Sequence, residues 1–530
     1  MAKGYRGVDR EQGFLLPPDM RQWLPEGHPV WLVIEAVRLL DTSVFHARRK
    51  TGGAGAAGYD PDMLVTVLVW AYANGVASSR RIERLCGQDV AFRVACAGNL
   101  PDHVTIARFR QQFAQTAADL FAQVLVLCAR LGMGQVGTVA VDGTKIAASA
   151  SKDANRTEDG LRKLAAELAA KHAATDAAED ALFGAGQRGD DDPGDPRTRR
   201  ERVAAALASL EAEREEREAA ERAAAEQHLQ AARAGTPQEG RPPAGAQLEA
   251  ARIRVEKETA ACQGRVDDWE RRKAAGQPVR RRPVPPPQSS LVRRAQRKLE
   301  AALARDAARR AKEEQKAPAV RNVTDPASRL MPVRGGGFIQ GYNAQNVTSG
   351  DGLLIATRLT HDTTDTRWYE PMISDAIAAA AAMAAARADG AQGAGIGLVL
   401  ADAGYLSRRN LTCGGPGRLI ATGKRRDLEK RARDAGAADS QDGGQDLDRA
   451  IAVMAARLAA PDGIAAYRQR GPIAETPHGR IKHNMRFRQL SVRGMRKAAG
   501  EWTFACAVHN LMLAITSGHL TTWALATLPG

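Results

Sequence analysis

Cysteine is scarce in this 530-residue chain, and its six cysteines are far apart. They stand at positions 86, 96, 128, 262, 413 and 506, with no CxxC pair and no nearby histidine cluster. This spacing argues against a zinc site. Cys86, Cys128 and Cys506 have apolar neighbours, and we expect them to be buried thiols in a reducing compartment.

Long apolar runs are also lacking. The first residues, MAKGYRGVDREQG, have no apolar core of the signal-peptide type. No run approaches the roughly 18–20 apolar residues that a membrane span needs. We therefore expect a soluble, cytoplasmic protein without a membrane partner.

Acidic residues are absent from a basic segment near the C-terminus. The formal net charge is +15, and residues 401–500 carry 20 Lys/Arg against 10 Asp/Glu. Between positions 480 and 500 there is no acid, and the basic residues are Arg480, Lys482, Arg486, Arg488, Arg493, Arg496 and Lys497. A polyanion such as DNA is the natural partner of this segment, since binding releases phosphate counterions. A solvated basic face is the alternative.

The sequence pattern predicts an all-α domain over residues 1–136. Apolar residues recur at helical spacing in Pro29–Leu40, and Asp60 followed by a proline marks the start of another helix. A longer helix over Val104–Leu131 carries Arg108 and Arg110, which could contact DNA. A helical bundle without a DNA role is the alternative.

Strand patterns begin at residue 137 and are interrupted by a long helical segment. Residues 137–151 and 321–517 predict a mixed α/β sheet with flanking helices. Residues 152–320 are rich in Ala, Glu, Arg and Lys, and predict helical hairpins or coiled-coil arms joined by proline-rich connectors. Residues 518–530 form a C-terminal tail.

Three acids in this domain could form a metal site. Asp142 lies within one apolar strand and Asp402 ends another, so both could meet at the carboxyl edge of a sheet. Glu475 lies in a predicted helix, on one face with Lys482. Such a trio can hold two divalent ions about 3.5–4 Å apart for phosphoryl transfer. For either aspartate alone, a strand-end cap is the alternative.

Neighbouring residues complete this prediction. Tyr467, Arg468 and Arg470 could hold phosphates near the acids, and Lys482 could contact the cleaved strand. Because proline is costly inside a helix, Pro477 predicts that Glu475 lies in or before the first helical turn. Other acids receive structural roles. Glu501 is expected to cap a helix over 501–517. His361, Asp362 and Asp365 are expected to serve a loop or helix cap, with an extra DNA contact as the alternative.

The chain resembles the DDE transposases of bacterial insertion sequences, in the branch with an RNase H-like catalytic domain. The matching segments are LPDHVTIARFRQQF, VDGTKIAASASKDAN, DPASRLMPVRGGGFIQGYNAQNV, LADAGY and YRQR…ETPHGRIKHNMRFRQLSVRGMRKAAGEW. The resemblance implies that Asp142, Asp402 and Glu475 are catalytic. It also implies a tyrosine, arginine, glutamate, lysine signature at Tyr467, Arg470, Glu475 and Lys482. Here His478 stands where an aromatic residue is common, and the arginine-to-glutamate spacing is one residue longer.

We therefore expect a DNA transposase with two Mg²⁺ or Mn²⁺ ions, acting as a homo-oligomer on terminal inverted repeats and target DNA. Bound to DNA, it would be associated with the nucleoid. Two alternatives stay open: a DNA-binding protein derived from such an element that no longer cleaves, and a metal-dependent nuclease without strand transfer.

Overall fold

The computed structural model describes residues 19–47, 58–183, 199–234, 243, 246–314, 318–333, 335–387, 395–423, 446–522 and 524. By their contacts these residues form two compact units. The first unit lies within residues 1–153, 327–443 and 448–530, and the second within 154–326 and 444–447. Residues 19–136 and most of the predicted α/β segments thus fall in one unit, and most of residues 152–320 fall in the other, while the predicted division into domains stays a prediction.

The first unit begins with six helices. They are α1 (Pro29–Arg38), α2 (Ser43–His46), α3 (Pro61–Ala73), α4 (Ser79–Gln88), α5 (Val90–Ala95) and α6 (His103–Arg130). Aspartates start three of them. The carboxylates of Asp60, Asp89 and Asp102 accept hydrogen bonds from the first free amides of α3, α5 and α6. The helices predicted for this region are confirmed to within a few residues.

The described residues after α6 contain eight strands. They are β1 (Thr138–Ala147), β2 (Asn155–Thr157), β3 (Val320–Asn322), β4 (Arg329–Pro332), β5 (Phe338–Ser349), β6 (Leu354–Thr360), β7 (Leu398–Ala401) and β8 (Gly417–Ile420). Six of them form one mixed sheet, in which β5, β1, β7 and β8 are successive neighbours. β4 and β6 both pair with the edge of β5 that faces away from β1. The predicted mixed α/β fold is confirmed.

The sheet changes direction at β1. This strand pairs antiparallel with β5 and parallel with β7, which in turn pairs parallel with β8. Asp142 stands opposite Asn346, and Gly143 stands opposite Gln345. Because side chains alternate along a strand, Asp142 and Asn346 lie on one face of the sheet and Gln345 lies on the other.

Helices of the first unit flank this sheet and close its hydrophobic core. They are α11 (Tyr369–Ala386), α12 (Arg408–Thr412), α13 (Asp446–Ala459), α14 (Pro461–Arg468), α15 (Arg470–Gly479) and α16 (Met495–Thr516). A π-helical turn, Arg480–Asn484, continues α15. The buried residues of α16 pack with those of α6 and β6 in one continuous core.

Two predictions about these helices are wrong. α16 begins at Met495, so Glu501 lies inside the helix and is buried rather than capping it. Pro477 lies within α15, so Glu475 is in the middle of this helix and not in its first turn. Pro477 has no amide hydrogen, so it cannot donate the usual helical hydrogen bond to the Ile473 carbonyl. Three residues after Pro477, the helix passes into the π-helical turn.

The second unit consists of long helices and one short strand pair. The helices are α7 (Glu158–Phe183), α8 (Arg199–Ala234), α9 (Ala246–Ala274) and α10 (Ser290–Glu314), and β2 pairs antiparallel with β3. Its buried cluster is small: Leu161, Val203, Ala206 and Leu210. This agrees with the prediction of helical arms. Of the predicted connectors, the stretch from Gly276 has only a short turn at Pro286–Gln288, and 235–245 lies almost wholly outside the described residues.

The cysteines behave as their neighbours predict. Cys86, Cys128 and Cys506 are buried, and none of the six cysteines, all of them in described parts of the chain, forms a disulfide. Within the same described parts, no single helix is both long and apolar enough to cross a membrane, although two sharply bent helix pairs pass on length and composition.

Candidate active site

Parallel pairing of β1 with β7 brings two of the predicted acids together. Val141 is in register with Ala401, so Asp142 and Asp402 occupy the next position on each neighbouring strand. Asp402 ends β7, and its Oδ1 accepts a hydrogen bond from the Gly404 amide at 2.9 Å. The two carboxylates, 260 positions apart in sequence, therefore meet at the carboxyl end of one parallel pair.

Arg470, the first residue of α15, connects all three predicted acids. Its Nη2 donates a hydrogen bond to Asp142 Oδ1 at 2.9 Å and lies 3.5 Å from Asp402 Oδ2. Its Nη1 lies 3.9 Å from Glu475 Oε1. Burial acts to lower the pKa of Arg470, but Asp142 and Asp402 outweigh it, and the pKa lies above its ordinary value. The guanidinium remains a cation among three carboxylates.

Glu475 is the most loosely held of the three acids. Its side chain is 58% exposed, whereas that of Asp142 is 14% exposed. It shares α15 with Arg470, so one helix supplies both the third acid and the cation that contacts the first two. The extra residue between them, relative to the resemblance, does not prevent their contact.

Tyr467 and Lys482 form hydrogen bonds to the two strands beside the aspartates, Tyr467 to β7 and Lys482 to β1. The Tyr467 hydroxyl donates to the Ala401 carbonyl at 3.1 Å, one residue before Asp402. Lys482 Nζ donates to the Lys145 carbonyl at 2.8 Å and to the Thr144 hydroxyl at 2.5 Å. Burial lowers the pKa of Lys482, and Asp142 opposes that shift. Both residues lie beside the acids, while their contact with DNA stays a prediction.

His478 is a site residue that the sequence pattern did not identify. It is buried, with Nδ1 3.6 Å from Asp142 Oδ2 and Nε2 2.9 Å from Asn346 Nδ2. Burial and the positive charge of Lys482 lower its pKa to about 3, so the ring is neutral near pH 7. In the sequence it stood out only as a departure from the usual aromatic residue.

Asp365 is a fourth carboxylate, which approaches from the opposite face of the sheet. Its Oδ1 accepts hydrogen bonds from Asn343 Nδ2 at 2.7 Å and from Gln345 Nε2 at 2.5 Å. A Cβ at Gly143 would lie 2.5 Å from this oxygen, and one at Gly404 would lie 3.3 Å from the other. Both glycines therefore make room for Asp365. For the HDTTDT stretch that contains it, the sequence predicted a loop or cap, with DNA contact as the alternative, and not a place beside the acids.

The arginines predicted to contact DNA on α6 and on the basic segment differ in exposure. Arg486 and Arg488 are exposed and Arg480 is half-buried, and the segment after them runs beside the end of β1, where the Leu490 amide donates to the Ala147 carbonyl. Arg108 is exposed on α6. Arg110 is different, because its guanidinium is buried against Glu501 and Tyr72. The structure thus removes Arg110 from the DNA-contact surface.

A single metal ion would not fit all three acids as they stand. In the described portion of the chain, one group of three offers ligand atoms that all lie within 4.8 Å of each other: His46, Asp60 and Asp62. There, Asp60 already caps α3 and Asp62 accepts from Thr42. Asp142, Asp402 and Glu475 are more widely spaced, around the guanidinium of Arg470.

Comparison with protein-family models finds two matches. Residues 18–112 match the model described as Transposase domain (DUF772), and residues 442–513 match the model described as Transposase DDE domain. No curated protein and no solved structure matches the chain. The first match covers α1 to the start of α6, and the second covers Tyr467, Arg470, Glu475 and Lys482. Two segments of the chain are therefore similar to transposase domains, which supports its resemblance to the DDE transposases of insertion sequences.

Proposed function

We propose that this transposase cleaves DNA at transposon ends in a metal-dependent reaction and joins the freed 3′-hydroxyl ends to target DNA. One arrangement carries the proposal. Asp142, Asp402 and Glu475, from two strands and a helix, all contact the single guanidinium of Arg470. Acids so distant in sequence are brought together by the whole fold, at a sheet edge where functional groups commonly gather.

The sheet itself supports an RNase H-like assignment. Its central strand β1 has the antiparallel strands β5 and β6 on one side and the parallel strands β7 and β8 on the other. We infer that residues 137–151 and 321–517 form an RNase H-like catalytic domain, with α1 to α6 as a DNA-binding domain and residues 152–320 as an insertion.

The donor set of this site fits divalent metal ions. Carboxylate oxygens are the ligands that Mg²⁺ and Mn²⁺ prefer. The carboxylates of Asp142 and Asp402 lie 2.9 and 3.5 Å from the same nitrogen of Arg470. They are therefore close enough to each other to share a centre whose two ions are about 3.5–4 Å apart. Two such ions, when bound, would activate the attacking water or 3′-hydroxyl and stabilise the departing oxygen.

The other residues of the site position these ligands. The positive charge of Arg470 offsets the mutual repulsion of the Asp142 and Asp402 carboxylates, since its guanidinium lies 2.9 Å from one and 3.5 Å from the other. Tyr467 and Lys482 hold the ends of β7 and β1. Glu475, exposed and on a helix, can move toward the aspartates with little rearrangement of the sheet.

DNA would bind along the basic segment next to these acids. Arg480, Arg486 and Arg488 lie in the segment after α15, which runs beside Ala147 at the C-terminal end of β1, five residues beyond Asp142. Phosphate contacts from such side chains give affinity without sequence preference. Arg108, exposed on α6, is a separate contact from the N-terminal helices. We expect a homo-oligomer to hold two transposon ends.

The decisive experiment measures Mn²⁺-dependent nicking of DNA that carries the sequences flanking the reading frame. Wild-type protein should nick at the ends and join them to a target plasmid, and Asp142→Asn should abolish both reactions. Asp119→Asn, an exposed aspartate of α6, is the matched control and should retain activity.

Two results would contradict the proposed reaction in different ways. Binding of end DNA without any nicking by the wild-type protein would identify a DNA-binding protein derived from a transposable element. Nicking without joining would identify a nuclease. Native mass measurement of the end complex separately tests whether two ends are held by an oligomer.

A further inference from the structure

A chain of hydrogen bonds, partly buried at Thr357 and buried at His478, leads from α16 to the candidate catalytic aspartate. It begins at Trp502, whose indole Nε1 donates to the Thr357 hydroxyl at 2.8 Å. The Thr357 hydroxyl lies 2.7 Å from Asn346 Oδ1, and Asn346 Nδ2 lies 2.9 Å from His478 Nε2. His478 Nδ1 then faces Asp142 Oδ2 at 3.6 Å.

The first donor determines the direction of the whole chain. An indole N–H can only donate, so the Thr357 oxygen accepts from Trp502 and its own proton is free to donate onward. That proton goes to Asn346 Oδ1, since the other neighbour, Cys506 Sγ at 3.6 Å, is a weak partner. If the Asn346 amide were reversed, the hydroxyl would accept from both Trp502 and Asn346, and its proton would be left to the weak acceptor Cys506 Sγ. His478 Nε2 would then have to donate to Asn346, and Nδ1 would turn a lone pair toward the Asp142 carboxylate.

The same reasoning determines which nitrogen of His478 carries the proton. Asn346 Nδ2 is a donor, so His478 Nε2 must accept through its lone pair. In the neutral ring the proton is therefore on Nδ1, on the side of Asp142. The register of β1 with β5 explains the arrangement, because Asp142 and Asn346 are directly opposed and lie on the same face.

We propose that His478 is a positioning residue, which presents Nδ1–H to Asp142 because Trp502, Thr357 and Asn346 orient its ring. This inference rests on the proposed function of Asp142. At 3.6 Å the contact is electrostatic rather than a formed hydrogen bond. Arg470 holds Oδ1 of Asp142 and His478 faces Oδ2, so together they restrict the orientation of the carboxylate for a metal ion.

Thr357 offers a test that does not alter the acids. Thr357→Val removes the hydroxyl at nearly constant volume, and Thr357→Ser retains it as the matched control. Partners that orient metal ligands typically change affinity or activity by about 10–100-fold when they are removed. We expect Thr357→Val to weaken Mn²⁺ binding and the rate of nicking by about that factor, with DNA affinity unchanged. Thr357→Ser should match the wild type.

The position of the proton is measured independently by ¹⁵N NMR of histidine-labelled protein, without metal or DNA. The signal that disappears in His478→Asn identifies the residue, and the wild type should show the Nδ1–H form. Asn346→Asp replaces the donor with an acceptor and should move the proton to Nε2.

Two results would overturn the inference: an Nε2–H ring in the wild type, or equal Mn²⁺ binding by the valine and serine variants when both show wild-type thermal unfolding. The outcomes separate this inference from the proposed function. If wild-type protein fails to nick DNA while the ring form and the Mn²⁺ difference are as expected, only the proposed reaction fails.

Discussion

Arg110 of α6 and Glu501 of α16 form a buried ion pair, with 2.7 Å between Nη2 and Oε1. Their side chains are 10% and 5% exposed. Glu501 also accepts hydrogen bonds from the Tyr72 hydroxyl and from the Ser491 amide. One carboxylate thus connects the N-terminal helices, the basic segment and the last long helix, which explains why these parts form one compact unit.

Replacing Arg110 should destabilise the protein strongly. Arg110→Met leaves Glu501 buried without its cation, and losing one partner of a buried pair costs about 3–5 kcal/mol. Urea unfolding followed by tryptophan fluorescence measures the change. Arg108→Met, at an exposed position of the same helix, is the control and should change the free energy of unfolding by less than about 0.5 kcal/mol. An equal loss in both variants would contradict a specific role for the pair.

Replacing Arg470 should make stability depend on divalent metal. In Arg470→Gln the carboxylates of Asp142 and Asp402 lose a charged hydrogen-bond donor, and we expect a loss of about 1.5–3 kcal/mol without metal. Mn²⁺ should restore more of the melting temperature in this variant than in the wild type, since the ion supplies the missing charge. Arg468→Gln, at the exposed last residue of α14, two positions earlier, is the control. An identical response of both variants to Mn²⁺ would argue against a metal at these acids.

Adding a methyl group at Gly143 should displace Asp365. The new Cβ would lie 2.5 Å from Asp365 Oδ1 and 2.6 Å from Gln345 Nε2. Overpacking of this kind typically costs about 1–3 kcal/mol, and we expect Gly143→Ala to lose that stability and to impair nicking. Gly137→Ala is the control, because no atom lies within 4 Å of the added Cβ. Combining Gly143→Ala with Asp365→Ala should recover stability; failure to recover it would point to another cause.

Acid should destabilise the protein partly through His509. Burial lowers the pKa of this histidine to about 4. Below about pH 6.5 the unfolded chain binds a proton that the folded ring does not. The contribution of neutral His509 to the free energy of unfolding is therefore fully present above pH 6.5. It falls as the pH drops toward 4, by at most about 1.4 kcal/mol per pH unit.

Unfolding of His509→Gln at pH 7 and pH 5 isolates this contribution. The variant should lose about 2 kcal/mol less than the wild type over this interval. His519→Gln, at an exposed ring, should keep the wild-type dependence. A wild-type slope in His509→Gln would show that other groups cause the acid sensitivity.

Local sequence signals predicted a helix or strand correctly where the packing of that element agreed with them. Asp60 marked a helix start because a side chain near the first free amides caps them, and the apolar runs before Asp402 and around Asp142 are strands. Glu501 was placed wrongly because α16 begins at Met495 and continues through Gly500 without a break. Glycine costs only about 1 kcal/mol inside a helix, and packing of α16 against α6 outweighs that cost.

The sequence by itself determined the strands that carry Asp142 and Asp402, the helix that carries Glu475, and the basic segment after it. Only the tertiary structure decided the partners of these groups. Arg470 lies among three acids, Arg110 is buried, Asp365 reaches the site from the other face, and His478 faces Asp142 through its Nδ1. Periodicity records which side of an element is apolar, but the distance between groups hundreds of residues apart depends on how the elements pack.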